Sequence, residues 1–278
     1  MNQVELTTSA VENIAVIAAR PFPVFQHSLP HEEIREGRYQ VRFARTRREL
    51  DSVLKLRFEV FNLELGEGLA SSYETGRDTD EFDETCHHLM VLDVLEDEVV
   101  GTYRMQTGEM ALASSGFYSE GEYDLQSFSP GILWDSVELG RACIAKAHRN
   151  TQVLFLLWKG LAAYLSHNRK RYLFGCCSLT SQDAREGLRV MRLLEESNQL
   201  RTTPWATPRK DFECIIDDSV ACQTDETAIP KLFRTYLRFG AKVCSPPAID
   251  RRFKTIDFLV LFDVYEIDAA TRRLFFGA

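Results

Sequence analysis

The 278-residue sequence lacks the features that mark membrane, secreted or nucleic-acid-binding proteins. No apolar run approaches the roughly 20 residues of a membrane-spanning helix, because charges such as Arg20 and Asp97 interrupt each candidate. Glu5 and Glu12 lie where a secretory signal carries basic residues, so we expect a cytoplasmic protein. A net charge of −8 opposes nonspecific contact with nucleic acid, and no nucleic-acid partner is expected.

The seven cysteines include no CxxC pair, and their number is odd. This pattern argues against a disulfide framework and against a zinc ribbon. We expect most of the seven to be reduced core residues; they are Cys86, Cys143, Cys176, Cys177, Cys214, Cys222 and Cys244. Cys176 and Cys177 lie on a predicted buried strand and are expected to be inert packing.

The apolar periodicity predicts a mixed α/β sheet, mostly antiparallel and flanked by helices. Pro21, Pro23 and Pro30 indicate a loosely attached N-terminal extension over residues 1–37, and the domain is predicted to span 38–278. Its part from about residue 181 is predicted to be a C-terminal extension that adds helix and strand. The predicted strands are 39–45, 88–95, 99–107, 136–144, 172–179 and 256–267. The predicted helices run from a capping box at 46–49 to about 63, and over 153–167, 183–200 and 230–240.

Glu138 is the first candidate for chemistry, because it lies within the predicted central strand. Period-two geometry places Glu138 and Gly140 on one face of that strand and Leu139 and Arg141 on the other. Burial would raise the pKa of this carboxyl group, which suits a general base that takes a proton from an amine. The alternative is a structural ion pair with an arginine.

The acidic run at 80–83 is the second candidate. A metal site is not predicted there, because the run lacks the glycine turn of a calcium loop, and His87 and His88 lead directly into a strand. Paired with Arg57 and Arg104, the acids would form a buried charge network. The alternative is a solvated loop.

Several of these residues together resemble the polar signature of acyl-homoserine-lactone (autoinducer) synthases. The matching residues are Arg57, Phe61, Asp80, Glu81, Phe82, Asp83, Arg104, Glu138 and Arg141. The resemblance covers about 39–180 and implies a GNAT-like fold that accepts acyl chains from acyl carrier protein, with Glu138 at the position proposed for the base. It also implies that Arg57, Phe61, Asp80, Asp83 and Arg104 bind substrate and that Arg141 joins Glu138 in catalysis.

The chain resembles more closely the acyl-carrier-protein-dependent ornithine N-acyltransferases of ornithine-lipid synthesis, once named as hemolysins. The matching segments are 138–143, 156–161, 173–176, 248–250 and 253–257. Autoinducer synthases lack the C-terminal extension, and they usually carry a tryptophan where this chain has residues 64–67. The homoserine-lactone activity, with S-adenosylmethionine as substrate, is therefore the alternative, and a noncatalytic acyl-binding or membrane-perturbing protein is a third hypothesis.

The loop after the central strand, 145–152, contains no glycine, whereas GNAT enzymes use a glycine-bearing loop to bind the pyrophosphate of coenzyme A. Phosphopantetheine on a carrier protein has one phosphodiester, so Lys146 and Arg149 could suffice for the acyl-phosphopantetheine thioester, and no bound cofactor is expected. Arg169, Lys170 and Arg171 could add to a patch that docks the acidic carrier protein. The alternative is that they only stabilise a helix C-terminus.

We therefore predict direct attack of an amino acid's amine on the acyl thioester, with Glu138 as base, directly or through water. The acids at 80 and 83 would face the acceptor's side-chain ammonium, and an arginine would face its carboxylate. The donor is expected to be a fatty acyl chain with or without a 3-hydroxyl group, and ornithine is the acceptor that the resemblance favours. Peripheral contact with the inner membrane face through the acylated product is a further expectation.

Overall fold

The computed structural model describes residues 21–215 and 229–276. The strands are β1 Ile34–Glu36, β2 Tyr39–Phe43, β3 His87–Asp93, β4 Glu98–Thr107, β5 Tyr123–Asp124, β6 Ser136–Ile144, β7 Tyr172–Leu179, β8 Thr207–Pro208, β9 Lys242–Val243, β10 Ala248–Asp250 and β11 Thr255–Asp263. The α-helices are α1 Arg47–Arg57, α2 Ser72–Thr75, α3 Gly108–Leu112, α4 Pro130–Trp134, α5 Thr151–Asn168, α6 Ala184–Glu196, α7 Lys231–Arg238 and α8 Ala269–Phe276. A π-helix, Phe58–Glu64, continues α1, and short 3₁₀ helices span Gln26–Ser28, Tyr118–Gly121, Lys146–His148 and Lys210–Phe212.

One sheet organises the fold, in the order β1-β2-β3-β4-β6-β7-β11-β10, with β9 also paired to β11. The pair β6 and β7 is parallel, because α5 connects the two strands, and the other pairs in this sheet are antiparallel. β5 and β8 form a separate two-stranded pair. The predicted mixed, mostly antiparallel sheet is confirmed.

Local sequence signals account for most element boundaries. The predicted capping box is present, since the Thr46 hydroxyl accepts from the Glu49 amide and the Glu49 carboxylate accepts from the Thr46 amide. The predicted strand ending at residue 267 is too long. It stops at Asp263, whose carboxylate accepts a hydrogen bond from the Tyr265 amide in a turn, and the unpredicted helix α8 follows.

The described part of the predicted N-terminal extension is packed onto the domain. β1 pairs with β2 at the edge of the sheet, and Leu29 is buried in the main core. The Val24 carbonyl accepts a hydrogen bond from the buried imidazole of His87 at 2.8 Å. Residues 21–37 thus belong to the folded unit, whereas 1–20, like Cys222, lie outside the described residues.

The two faces of the sheet carry different partners. On one face, Leu89, Tyr103 and Met105 form the main core with the apolar side of α5, and α6 and α7 extend this layer. On the opposite face, α1 packs through Val53 against Met90. Alternation along β4 and β6 directs Arg104 and Glu138 to this second face, which we call the Glu138 face. Among the described residues, no helix is long and apolar enough to cross a bilayer.

Candidate active site

The site begins where two central strands separate. β6 pairs with β7 only over Ser136–Glu138, and beyond this point the two strands share no ladder. Gly175 lies at the separation: a Cβ atom there would be 2.1 Å from the Leu139 carbonyl oxygen, so only glycine permits this approach. The gap leaves backbone groups of β6 beyond Glu138 without a strand partner on the β7 side.

A cavity of about 760 Å³ passes through this gap from one face of the sheet to the other. Its α5 side is lined by apolar side chains that include Leu157, Leu161 and Val260. Its Glu138 side is polar, with Tyr118 and Asp257 on its wall. A long apolar arm that meets a polar compartment suits an acyl chain whose reactive end meets a charged second substrate.

A buried charge network borders the polar compartment, and two of its members, Arg104 and Arg141, line the cavity. We call it the Arg–Asp network, and its members are Arg57, Arg104, Arg141, Asp78, Asp80 and Asp83. Arg57 binds Asp78 at 2.7 Å and Asp83 at 2.6 Å, and its side chain is fully buried. The predicted buried network is therefore present in place of a solvated loop, while Asp78 was not predicted because it lies outside the acidic run.

The formal charges of this network cancel, since three arginines face three aspartates. Burial alone would raise the pKa of Asp83, but Arg57 and Arg104 outweigh it and hold that pKa well below its usual range. Arg104 and Arg141 likewise hold the pKa of Asp80 low against burial. Each oxygen of Asp80 and Asp83 already accepts a hydrogen bond. This geometry runs against the prediction that these acids face the acceptor's ammonium.

Glu138 is also fully engaged, although by neutral donors. One oxygen accepts from the Gln106 amide group at 2.7 Å and the Tyr118 backbone at 2.8 Å, and the other accepts from the Ser119 backbone and hydroxyl at 2.8 and 2.7 Å. Among the described ion pairs, no arginine is a partner of Glu138, so the ion-pair alternative does not describe it. The carboxylate holds the 118–119 turn against the central strand.

The predicted placement of Glu138 and Arg141 on opposite faces is wrong. The ladder between β4 and β6 shifts register after Gly140, and Arg141 has a φ of +49° in a β-bulge. The extra residue turns the Arg141 side chain onto the Glu138 face, where its guanidinium binds Asp80 at 3.0 Å. Arg141 also stacks on the rings of Tyr118 and Phe253, at 5.0 and 4.3 Å from their centroids.

The N-terminus of α5 lies at one end of the cavity. Arg149, Asn150 and Thr151 line it, and the Asn150 side chain caps the helix by accepting from the Val153 amide. Arg149 forms a two-pronged ion pair with Glu64 and stays 40% exposed. Lys146 is exposed on the adjoining 3₁₀ helix.

Phe61, a predicted substrate-binding residue, also lines the cavity, where its ring lies edge-on to that of Phe253.

The basic run at 169–171 lies at the opposite end of α5. The helix has 18 residues and is therefore about 27 Å long. Lys170 is buried, and its ammonium donates to Glu109 and to the Trp134 carbonyl. Arg171 pairs with Asp263 at 2.6 Å, whereas Arg169 is exposed. The predicted docking patch is thus split, and only Lys146 and Arg149 are close to the cavity.

A second acidic group, which sequence reasoning missed, lies on the Glu138 face. Oxygens of Glu122, Asp250 and Asp257 lie within 4.8 Å of one another, and we call these residues the acidic triad. Asp250 and Asp257 line the cavity. Burial, with Asp257 and Asp250 nearby, raises the pKa of Glu122 well above its ordinary value, and burial raises the pKa of Asp257 to about 6. Glu122 lies more than 120 positions before Asp250 and Asp257 in the chain, so no local pattern could reveal the triad.

The chain is similar to several known proteins. A family model described as acetyltransferase (GNAT) domain matches residues 56–159. The chain is 34% identical over 247 residues to an L-ornithine N(alpha)-acyltransferase of Agrobacterium fabrum, which covers 84% of this chain and 83% of the relative. It is 30% identical over 243 residues to the protein of the same name in Rhizobium meliloti, covering 82% and 81%. Among solved structures, the AHL synthase LasI aligns at 12% identity and a TM-score of 0.45, over 89% of this chain and 96% of that one.

Proposed function

Because the chain belongs to the family of L-ornithine N(alpha)-acyltransferases, we propose that it transfers a fatty acyl group from acyl carrier protein to the α-amino group of ornithine. The cavity between β6 and β7 is the observation that supports this most directly. Its apolar arm suits the acyl chain, and its polar compartment suits a charged amino acid. The alternative, homoserine-lactone synthesis, has less support, because the relatives that match most of the chain are ornithine acyltransferases.

The reaction needs only proton transfer and charge stabilisation from the protein. The neutral α-amine attacks the thioester carbonyl, a C–N bond forms, the C–S bond breaks, the amine loses a proton, and the thiolate of phosphopantetheine takes one up. Backbone amides of β6 beyond Glu138, which lack a β7 partner, would donate to the carbonyl oxygen as negative charge develops there. No covalent enzyme intermediate is required.

The geometry supports Glu138 as a positioning residue. Each of its oxygens already accepts two hydrogen bonds, so at least one of these bonds must break before Glu138 can accept a proton from the amine. By holding the 118–119 turn, it fixes the Tyr118 ring, which stacks on Arg104 and Arg141 at 5.2 and 5.0 Å. Proton transfer through Glu138, directly or by way of water, stays the sequence-based prediction, and a glutamine variant separates the two roles.

Acyl carrier protein is the proposed donor because of the α5 N-terminus. Arg149, Asn150 and Thr151 at this helix end line the cavity. The positive end of the helix suits a single phosphodiester, and Arg149, with Lys146 on the adjoining 3₁₀ helix, adds positive charge. Carrier proteins are acidic, so these cations would also speed association.

The experiment offers the purified protein an acyl carrier protein thioester or the matching coenzyme A thioester, with ornithine, other amino acids and S-adenosylmethionine as acceptors. Mass spectrometry should detect Nα-acylornithine, with a much higher kcat/KM for the carrier-protein donor. An acyl-homoserine lactone as main product, or no acylated amino acid, would refute the proposal.

Charge reversal tests the docking site with a matched control. Lys146→Glu should lower kcat/KM for the carrier-protein donor and weaken its salt dependence, because one attractive charge at the cavity is lost. Arg169→Glu makes the same charge change at the far end of α5 and should leave both unchanged. An equal effect of the two variants would place docking elsewhere.

A further inference from the structure

The acidic triad contains buried oxygens that the protein itself does not satisfy. Glu122 and Asp257 are each 3% exposed. Glu122 Oε1 and Asp257 Oδ1 accept no hydrogen bond from another described residue. The two side chains can hydrogen-bond to one another only while one carboxyl group keeps a proton. Leaving such groups unpaired is costly, so buried carboxylates are normally hydrogen-bonded or paired with a cation. A cation bound in place of that proton would satisfy both oxygens and leave both carboxylates charged.

The triad also lacks a compensating charge. Within 21–215 and 229–276, no salt bridge joins Glu122, Asp250 or Asp257 to an arginine, lysine or histidine. Arg141 lowers the pKa of Glu122 slightly through its charge, but its own ion pairs are with Asp78 and Asp80. The Arg–Asp network is neutral. Glu138 and Glu67, which also line the cavity, accept hydrogen bonds from neutral donors. Asp250 and Asp257 line the cavity with Glu122 beside them, so the triad brings together three carboxyl groups without a cation among the described residues.

We propose that the acidic triad binds the side-chain ammonium of the amino-acid acceptor, an inference that rests on the proposed function. The attacking α-amine must be neutral, whereas the second amino group stays charged and needs a counter-charge inside the cavity. An ammonium group has three N–H donors, one for each carboxylate of the triad. Arg141 lines the same cavity and is our candidate for binding the acceptor's carboxylate.

A divalent metal ion is the competing occupant. Asp250 Oδ1 already accepts from the Arg252 and Phe253 amides at 2.7 and 3.0 Å, and Asp257 Oδ2 accepts from the Thr255 hydroxyl at 3.1 Å. These bonds leave few oxygens for the six or more that a hard cation prefers. They leave enough for one ammonium.

The test compares ornithine with norvaline, which has the same carbon chain and no side-chain amino group. The wild type should prefer ornithine, and Asp257→Asn and Glu122→Gln should each lower kcat/KM for ornithine about 10- to 100-fold, the effect of losing one hydrogen bond to a charged group. Neither variant should lower kcat/KM for norvaline. Asp263→Asn is the control. Asp263 is a buried acid on β11, the strand that also carries Asp257, but it pairs with Arg171 outside the cavity.

Equal losses for ornithine and norvaline in both variants would overturn the inference while leaving the proposed function intact. So would a stoichiometric metal ion in the purified wild type that is absent from Asp257→Asn. Calorimetry with ornithine and no donor gives an independent readout: weaker binding by Asp257→Asn than by the wild type supports the triad even where no acylated product forms. Absence of product with every acceptor would count against the proposed function instead.

Discussion

Replacing Asp83 with asparagine should destabilise the fold by about 3–5 kcal/mol, the usual cost of breaking a buried ion pair from one side. Asp83 is 1% exposed, and its oxygens lie 2.6 Å from Arg57 and 3.0 Å from Arg104. Asparagine keeps the size of the side chain but removes one negative charge, so the Arg–Asp network would hold three arginines and two aspartates. The excess positive charge is buried and cannot be screened by solvent.

Urea denaturation at pH 7 measures this loss, and Glu84→Gln is the control. Glu84 is the next residue, and its ion pair with Arg47 is exposed at the surface, with 36% and 50% of the two side chains accessible. Its loss should cost about 0–1 kcal/mol. Because the pKa of Asp83 is lowered in the folded state, its contribution is present above the unfolded pKa of about 3.9 and declines as the pH falls below it. Equal losses for Asp83→Asn and Glu84→Gln would refute the reasoning.

Three further predictions concern single residues. Glu138→Gln should lower kcat by about 10²- to 10⁴-fold if Glu138 is the base, with the acidic limb of the pH profile lost, whereas a positioning role predicts an unchanged limb and a higher KM for the acceptor. Gly175→Ala should reduce kcat/KM and stability together, because its Cβ would meet the Leu139 carbonyl at 2.1 Å; wild-type values for both would contradict the geometry of the gap. Burial lowers the pKa of His87 to about 3, so its contribution to stability is complete above pH 6.5 and falls as the pH drops. Between pH 6.5 and 5 the wild type should lose roughly 2 kcal/mol more than His87→Gln in urea titrations, and parallel losses would show that His87 is not kept neutral.

The elements of the central fold were predictable because their signals are local. Strands β6 and β7 have the predicted limits, since β7 is a nearly continuous apolar run and β6 alternates polar and apolar residues over Ser136–Leu139. The start of α1 follows from the reciprocal bonds between Thr46 and Glu49. The short edge strand β1 was missed, because three residues carry too little periodicity to reveal a strand whose stability comes from pairing with β2.

The sequence by itself determined the order of the main strands and helices, the family resemblance and the candidate members of the charge network other than Asp78. Only the tertiary structure decided which charges remain available to a substrate. The bulge at Arg141 moved its guanidinium onto the Glu138 face, so that Asp80 is neutralised. The ladder between β7 and β11 and the turn after Tyr118 brought Asp257 and Glu122 together. Ion pairing depends on distances of a few ångströms between segments far apart in the chain, and residue spacing in sequence does not contain those distances.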